Sequence, residues 1–283
     1  MRTTIIIVTY NSSSVIGRCL QSIPPSILVY LVDNASTDTT VQIVKETKPD
    51  AKIIENRKNI GFGCANNLAL LKVQTEFAML LNPDTVLYND TILNLENVAD
   101  TYKDAAIIAP IMFFEDGKPQ IMYKNSVFKR EKEKKKSNIL PEGDICTECL
   151  SGAAMLIKVK MFKKIGFFDP KIFLFYEDDD ICLKARQQGF ALILTPNAKL
   201  IHLMGKSSPI TNKSIYFKNW HMMWSRLYLE QKYNGKAKAN NLAVKELVKQ
   251  SIKAIGHMLS FNNDKIIKSF ARLMAIFYYF MSS

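Results

Sequence analysis

The stretch "MLLNPDTVLY" is an apolar, strand-like run that stops at a single carboxylate, Asp84. A strand ending in Asp-x-Asp is a common way to hold a divalent metal against a diphosphate, but here Asn82 takes the first position and Pro83 the middle one. A second acidic cluster, Glu177, Asp178, Asp179 and Asp180, follows two aromatic residues, and His202 lies in "IHLMGKSS", ahead of Gly205 and Ser207. Carboxylates and imidazole are the residue types for proton transfer and for holding a divalent ion. A Gly/Ser loop behind the histidine is suited to approaching a phosphate. "NIGFGCANN" has Gly-x-Gly without the third glycine of a dinucleotide fingerprint, which makes an NAD site a weak reading. "CTEC" has no second cysteine pair to complete a zinc site, and positions three apart on a strand face opposite ways. Cys146 and Cys149 are therefore expected to be structural thiols.

The elements that position these residues follow from pattern. Strand candidates are "TTIIIVT", "ILVYLVD", "AKIIE", "FAMLLN" and "AAIIAPI", alternating with helical segments near 13–23, 38–48, 61–72 and 90–102. This βαβα rhythm with continuously apolar strands predicts a mostly parallel α/β sheet covered by helices on both faces. Ligands in such sheets bind at the carboxyl ends of the strands, where "VTYN", "VDNASTD" and "LLNPDT" all fall. Asp38 reads as the N-cap of the second helix. "SGA" (Ser151, Gly152, Ala153) opens a further strand, "FYEDDDICLKARQQG" leads through the acids into a helix ending at Gly189, and "FALILT" precedes a Pro196-Asn197 turn. The charge run "KREKEKKKS" at 129–137 reads as a solvated loop, and the chain beyond about Ser214 as helix with a break at Asn234-Gly235.

The chain has 283 residues, 48% hydrophobic, enough for one large domain with an appendage. Five cysteines without a signal-like N-terminus read as reduced intracellular thiols. No stretch reaches the roughly 20 apolar residues of a membrane span. Of the net charge of +12, the residues from Lys213 onward contribute 12 Lys/Arg against 3 Asp/Glu, or +9. Lysines interleaved with Leu, Ile and Phe at helical spacing suit an anionic membrane surface; the alternative is a tail packed on its own catalytic domain. Nucleic-acid binding lacks a recognisable module. A sugar-1-phosphate nucleotidyltransferase would need a glycine-rich N-terminal loop that is missing.

Taken in order, VTYN, VDNASTD, NIGFGCANN, LLNPDT, SGAAMLI, FYEDDDICLKARQQG and HLMGKS resemble the family 2 glycosyltransferases, most closely the rhamnosyltransferase-like branch of bacterial polysaccharide synthesis. The match runs from about Thr3 to Ser208 and weakly on to Lys232. The resemblance implies a GT-A fold over 1–212, with a nucleotide-sugar half at about 1–110 and an acceptor and base half at about 111–212, followed by a basic helical extension over 213–283. It implies inverting transfer of a hexose or deoxyhexose from a UDP- or dTDP-sugar to a glycan, lipid-linked acceptor at the cytoplasmic face of the plasma membrane. Thr9 and Tyr10 match the nucleobase pocket, where an aromatic ring can stack on a pyrimidine. Asp33 matches the carboxylate that takes hydrogen bonds from base or ribose, its local alternative being an Asx turn. Asn11, Asn34, Ser36, Asn59, Gly61, Phe62, Asn66, Asn82 and Gly152 complete the donor side, with Gly61 and Gly63 allowing close backbone approach.

On the acceptor side the resemblance places Ser151, Ala153, Glu177 and Asp180, the last holding the loop, and puts the general base at Asp178. Asp179 stands where an apolar residue is usual, and the crowding favours raised carboxyl pKa values. Asp84 and His202 match the ligands of a divalent ion, Mg²⁺ or Mn²⁺, with imidazole favouring Mn²⁺. Lys218 stands where an arginine is common and loses its bidentate fork; Trp220 and Trp224, four apart, read as a core stripe. A nucleotide-sugar-binding subunit that has lost turnover and scaffolds a synthase is the alternative function, supported by Asn82 and Lys218.

Overall fold

A computed structural model describes residues 1–120, 123–124, 127–128, 140–205 and 211–282. The charge run at 129–137 and Ser207 lie outside the described residues. Two compact units form, Met1–Pro170 with Glu177–Ser208, and Lys171–Tyr176 with Pro209–Ser283.

In the first unit the chain runs β1 (Thr3–Thr9), α1 (Ile16–Gln21), β2 (Leu28–Asp33), α2 (Thr40–Thr47), β3 (Lys52–Glu55), α3 (Phe62–Leu70), β4 (Phe77–Leu81), β5 (Thr85–Leu87), α4 (Thr91–Thr101) and β6 (Ala105–Phe113). Short strands follow, β7 (Pro119–Gln120), β8 (Tyr123–Lys124), β9 (Ile145–Cys146) and β10 (Cys149–Leu150), then β11 (Ala154–Lys158), α5 (Val159–Ile165), α6 (Glu177–Gln187) and β12 (Ala191–His202). The main sheet is ordered β3-β2-β1-β4-β11-β6-β12-β5. β1 and β4 are buried at every position, because "TTIIIVT" and "FAMLL" present apolar or β-branched side chains to helices on both faces. β3, β2, β1 and β4 are mutually parallel, as are β6 and β12. The chain steps from β1 to β2 and β3 on one side and to β4 on the other, so a crevice opens at the carboxyl ends of β1 and β4.

β11 runs antiparallel to both β4 and β6. Its start, not its end, therefore lies at the ligand edge, and Asn82 N–H donates to Ala153 C=O at 2.9 Å. Three local expectations are corrected. Pro196-Asn197 is no turn but a bulge inside β12, where the register against β6 shifts between Thr195 and Lys199. Cys146 and Cys149 stand on separate short strands rather than one. Asp38 precedes the N-cap residue, Thr39; its carboxylate accepts from Thr40 N–H at 3.0 Å and Ser13 N–H at 3.1 Å, joining the segments that lead into two helices.

The second unit contains α7 (Asn212–Asn234), α8 (Lys236–Leu259) and α9 (Asn263–Ser282). Thr211 and Ser214 cap α7 reciprocally. Gly235, at φ 87°, breaks α7 from α8 as the Asn-Gly pair predicts. Met223, Leu227, Ala239, Ala243, Ala275 and Ile276 form the core of the bundle, where small residues let the helices approach, and Trp220 and Trp224 pack against it.

In α3, Gly63 packs against the segment before α6 rather than facing open space. A Cβ there would lie 2.8 Å from Phe168 Cβ, and Asn67 grips the Phe168 backbone with two hydrogen bonds of 3.0 Å. Gly63→Val is expected to lower stability by about 1–3 kcal/mol through overpacking, read as a drop in the midpoint of urea unfolding.

Candidate active site

The sheet edge expected to receive the donor is a set of loops bonded to one another. Asp33, at the end of β2, accepts from Thr9 Oγ1 at 2.9 Å, Ser36 Oγ at 2.5 Å and Ser36 N–H at 2.8 Å. These bonds form the Asx-type turn expected as the local alternative for Asp33. Thr9, expected to line the nucleobase pocket, is fully buried and orients Asp33 instead. Asn11 sits at φ 52°, donates its N–H to Ser36 Oγ and accepts Thr37 N–H, both at 2.8 Å. Asn34 ties the next loop, donating to Gly61 C=O at 3.2 Å and accepting from Asn56 at 2.9 Å. Asn59 accepts Gly61 N–H at 2.9 Å, which sets Gly61 at φ 87° at the start of α3. Asn66, expected to bond the donor, is buried and its amide donates to Phe62 C=O within its own helix. Tyr10 is 45% exposed, an aromatic face available to a planar ligand.

Asp84 lies in the turn from β4 to β5. Asn82 C=O accepts both Thr85 N–H at 3.3 Å and Thr85 Oγ1 at 2.7 Å, reversing the chain so that β5 pairs with β12, Thr85 opposite His202. Asp84 is only 2% exposed, its Oδ1 has no hydrogen-bond partner, and His202 Nε2 stands 3.6 Å from that oxygen. Gln120, on β7, explains the orientation of the imidazole. Its Nε2 donates to His202 C=O at 2.6 Å, so its Oε1, 3.0 Å from Nδ1, is an acceptor and Nδ1 carries the proton. With Nδ1 as the donor to Gln120, Nε2 is the ring atom directed at Asp84 Oδ1, and in the Nδ1–H tautomer it presents its lone pair there. Two lone pairs facing each other across a buried gap fit a shared cation. Among the described residues no third His, Cys, Asp or Glu joins them, and a phosphate-bound divalent ion takes its remaining ligands from substrate and water. Nearby Cys19 Sγ stands 3.7 Å from Asn82 C=O, and burial pushes its thiol up to about 12.

The acids of α6 fall in its first turn. The chain reaches them through Phe175 (φ 65°) and Tyr176 (φ 71°), two consecutive bulky residues in the left-handed region, each costing of order 1–3 kcal/mol. Asp178 Oδ2 accepts Gly152 N–H at 3.2 Å and Oδ1 accepts Asp179 N–H at 2.9 Å. A Cβ on Gly152 would come within 3.4 Å of Asp178 Cβ and 3.6 Å of Phe62, so the glycine keeps these two side chains close to the "SGA" backbone. Ser151 Oγ accepts Ala153 N–H at 3.3 Å. Asp179 is buried and accepts a hydrogen bond from the Cys149 thiol at 2.7 Å. Asp180 pairs with Lys184 at 3.2 Å, and that lysine donates to Phe167 C=O at 2.9 Å, so Asp180 holds the loop through its partner. Glu177 carries the crowding: burial, then the Asp178 charge, raises its pKa well above the carboxylate range, and its Oε2 has no partner.

A family model described as "Glycosyl transferase family 2" matches residues 4–166. The chain belongs to that family. Among its curated relatives, the N-acetylglucosaminyl-diphospho-decaprenol L-rhamnosyltransferase of Mycobacterium tuberculosis is 22% identical over 82% of this chain and 85% of its own. The rhamnosyltransferase WbbL of Escherichia coli is 25% identical over 61% and 71%. The same GT-A fold appears in the mannosyltransferase PcManGT of Pyrobaculum calidifontis, solved with GDP-Man and Mn²⁺, at a TM-score of 0.57 and 16% identity, covering 97% of this chain and 85% of that one. Staphylococcus aureus TarS 1–349 with UDP gives a TM-score of 0.54 at 16% identity, covering 100% and 92%. Motif order pointed to Asp84, Asp178 and His202 as candidates in this glycosyltransferase. It missed Gln120, which lies on a two-residue strand in no recognisable motif.

A raised Glu177 pKa means that the folded chain holds a proton that the unfolded chain releases above about pH 4.3. Stability is therefore lost as pH rises from there through the folded pKa. Glu177→Gln mimics the protonated acid, so its melting temperature relative to wild type should be higher at pH 8 than at pH 5. An equal difference at both pH values contradicts a neutral Glu177.

Proposed function

We propose that this glycosyltransferase inverts the anomeric carbon of a hexose or deoxyhexose, moving it from a UDP- or dTDP-sugar to a lipid-linked glycan in cell-surface polysaccharide synthesis. The observation that carries the reading is Asp178, a carboxylate in a helix first turn held by backbone N–H groups beside Gly152. The helix N-terminus stabilises its charge, and neutral Glu177 adds no second one. Asp178 takes the proton of the acceptor hydroxyl as that oxygen bonds to the anomeric carbon. The bond from that carbon to the donor phosphate breaks on the opposite face, and its electron pair leaves with the nucleoside diphosphate. Tyr10, Asn11 and the Asp33 loop receive the nucleoside. Asp84 and His202, with Gln120 fixing the ring, hold Mn²⁺ or Mg²⁺, which when bound offsets the charge on the departing diphosphate. The lipid-linked acceptor rests on relatives whose name specifies a diphospho-decaprenol substrate.

The test is release of nucleoside diphosphate from a panel of nucleotide sugars with Mn²⁺. Asp178→Asn should leave donor affinity unchanged and slow turnover by about 10²–10⁴-fold; retained turnover rejects the base. Tight donor binding by the wild type without any turnover points instead to a binding subunit. Gln120→Leu, keeping the buried volume but not the anchor, should raise the Mn²⁺ needed for half-maximal activity by about 10–100-fold. An unchanged requirement separates Gln120 from the metal.

A further inference from the structure

One patterned stretch takes no part in this chemistry. In "VKELVKQSIK" a β-branched residue followed by lysine recurs every four positions: Val244-Lys245, Val248-Lys249 and Ile252-Lys253. Positions four apart share a helix face, so α8 bears an apolar strip with a lysine strip beside it. That apolar strip points away from the packed face. Ala239, Ala243, Gln250 and Ala254 are buried in the bundle, whereas Val248, Ile252 and Ile255 are 56–66% exposed. α9 repeats the inversion: Ala271, Ala275 and Ile276 pack inward while Phe270, Met274, Phe277 and Met281 face out. At the turn between the helices Phe261 is 89% exposed and held at φ 49°. A water-facing helix ordinarily turns charge outward and apolar residues inward; both helices turn apolar residues out.

Charge selects what covers them. Residues 236–282 contain eight Lys/Arg and two acids, Glu246 and Asp264, a net +6, and Glu246 is buried and paired with Arg226 at 2.9 Å. A second copy would bring the same positive charge to the contact; an anionic surface complements it. We propose that the outer face of α8 and α9 docks on an anionic lipid bilayer. The apolar strips lie in the plane of the headgroup boundary, and Lys245 and Lys253 extend their heads to the lipid phosphates, while Lys249 pairs with Glu246 at 3.6 Å. Among the described residues no helix is long and apolar enough to cross a membrane, and a lysine strip along the helix belongs to the interface. The surface is argued from α8 and α9 alone and stands whether or not the transfer reading holds.

Co-sedimentation of the whole chain with vesicles tests it. Binding is expected with phosphatidylglycerol-rich vesicles and not with phosphatidylcholine alone, weakening as salt rises. Lys245→Gln and Lys253→Gln should each lower the affinity about fivefold. Ile252→Glu combined with Phe277→Glu should lower it more than tenfold while leaving the circular dichroism and melting temperature unchanged, since both side chains point outward. Equal binding to neutral vesicles, or no vesicle binding, overturns the proposal. So does a dimer in light scattering that the same substitutions dissociate, which gives the face to a second copy, or tighter binding to duplex DNA than to vesicles.

Discussion

The pairing of β5 with β12 is the constraint on which the corner of Asp84 and His202 depends. It places Thr85 opposite His202 and lets Leu203 N–H bond Asp84 C=O at 2.8 Å, joining residues from distant parts of the chain by backbone alone. The Asp84 side chain contributes nothing comparable, because one of its oxygens is buried without a partner. An unpaired buried carboxylate oxygen is unfavourable, so the sheet stabilises an arrangement that the side chains by themselves would not adopt. Thr91 adds a second tie, its hydroxyl donating to Lys199 C=O at 2.6 Å from the helix after β5. The corner is held rigid by groups that need no ligand, leaving the side-chain atoms oriented toward one.

A comparable separation of tasks organises the acids of α6. Four consecutive carboxyls could not all be charged and buried at low cost. Glu177 meets the problem by holding its proton. Asp179 accepts from a thiol that burial and its neighbours keep protonated. Asp180 faces a lysine one helical turn away. These three arrangements explain how an extra acid at 179 is tolerated next to the proposed base, and they make Cys149 a structural partner of the cluster rather than a reactive thiol.

Much of this was legible in the chain because periodicity and motif order report local structure and strand ends. Every strand from β1 to β4 was readable from its apolar run, and the edge bearing Asp33, Asp84 and Asn11 follows from parallel topology. What sequence could not supply was partnership. Thr9 and Asn66 look like ligand contacts from their motifs, yet hydrogen bonds to Asp33 and Phe62 occupy them. Gln120 meets His202 across 82 residues through a strand of two residues, too short for any pattern. β11 reads as a strand, but its antiparallel sense depends on long-range pairing. The α8 strip was visible as basic and amphipathic, whereas only the packed face shows that its apolar side is the outer one.

The antiparallel sense of β11 also makes sense of Asn82. Asn82 N–H is fixed to Ala153 C=O, so the residue two before the proposed metal ligand is tied by the sheet to the "SGA" backbone beside Asp178. An aspartate at 82 would add a second negative charge next to a buried carboxylate already lacking a partner. Asparagine keeps the hydrogen-bonding side chain and omits the charge. On the proposed reading only Asp84 and His202, among the described residues, would hold an ion, and donor phosphate oxygens would complete the set. Ion and nucleotide sugar then stabilise each other's binding, a reciprocity that thermodynamics imposes on any two ligands sharing a site.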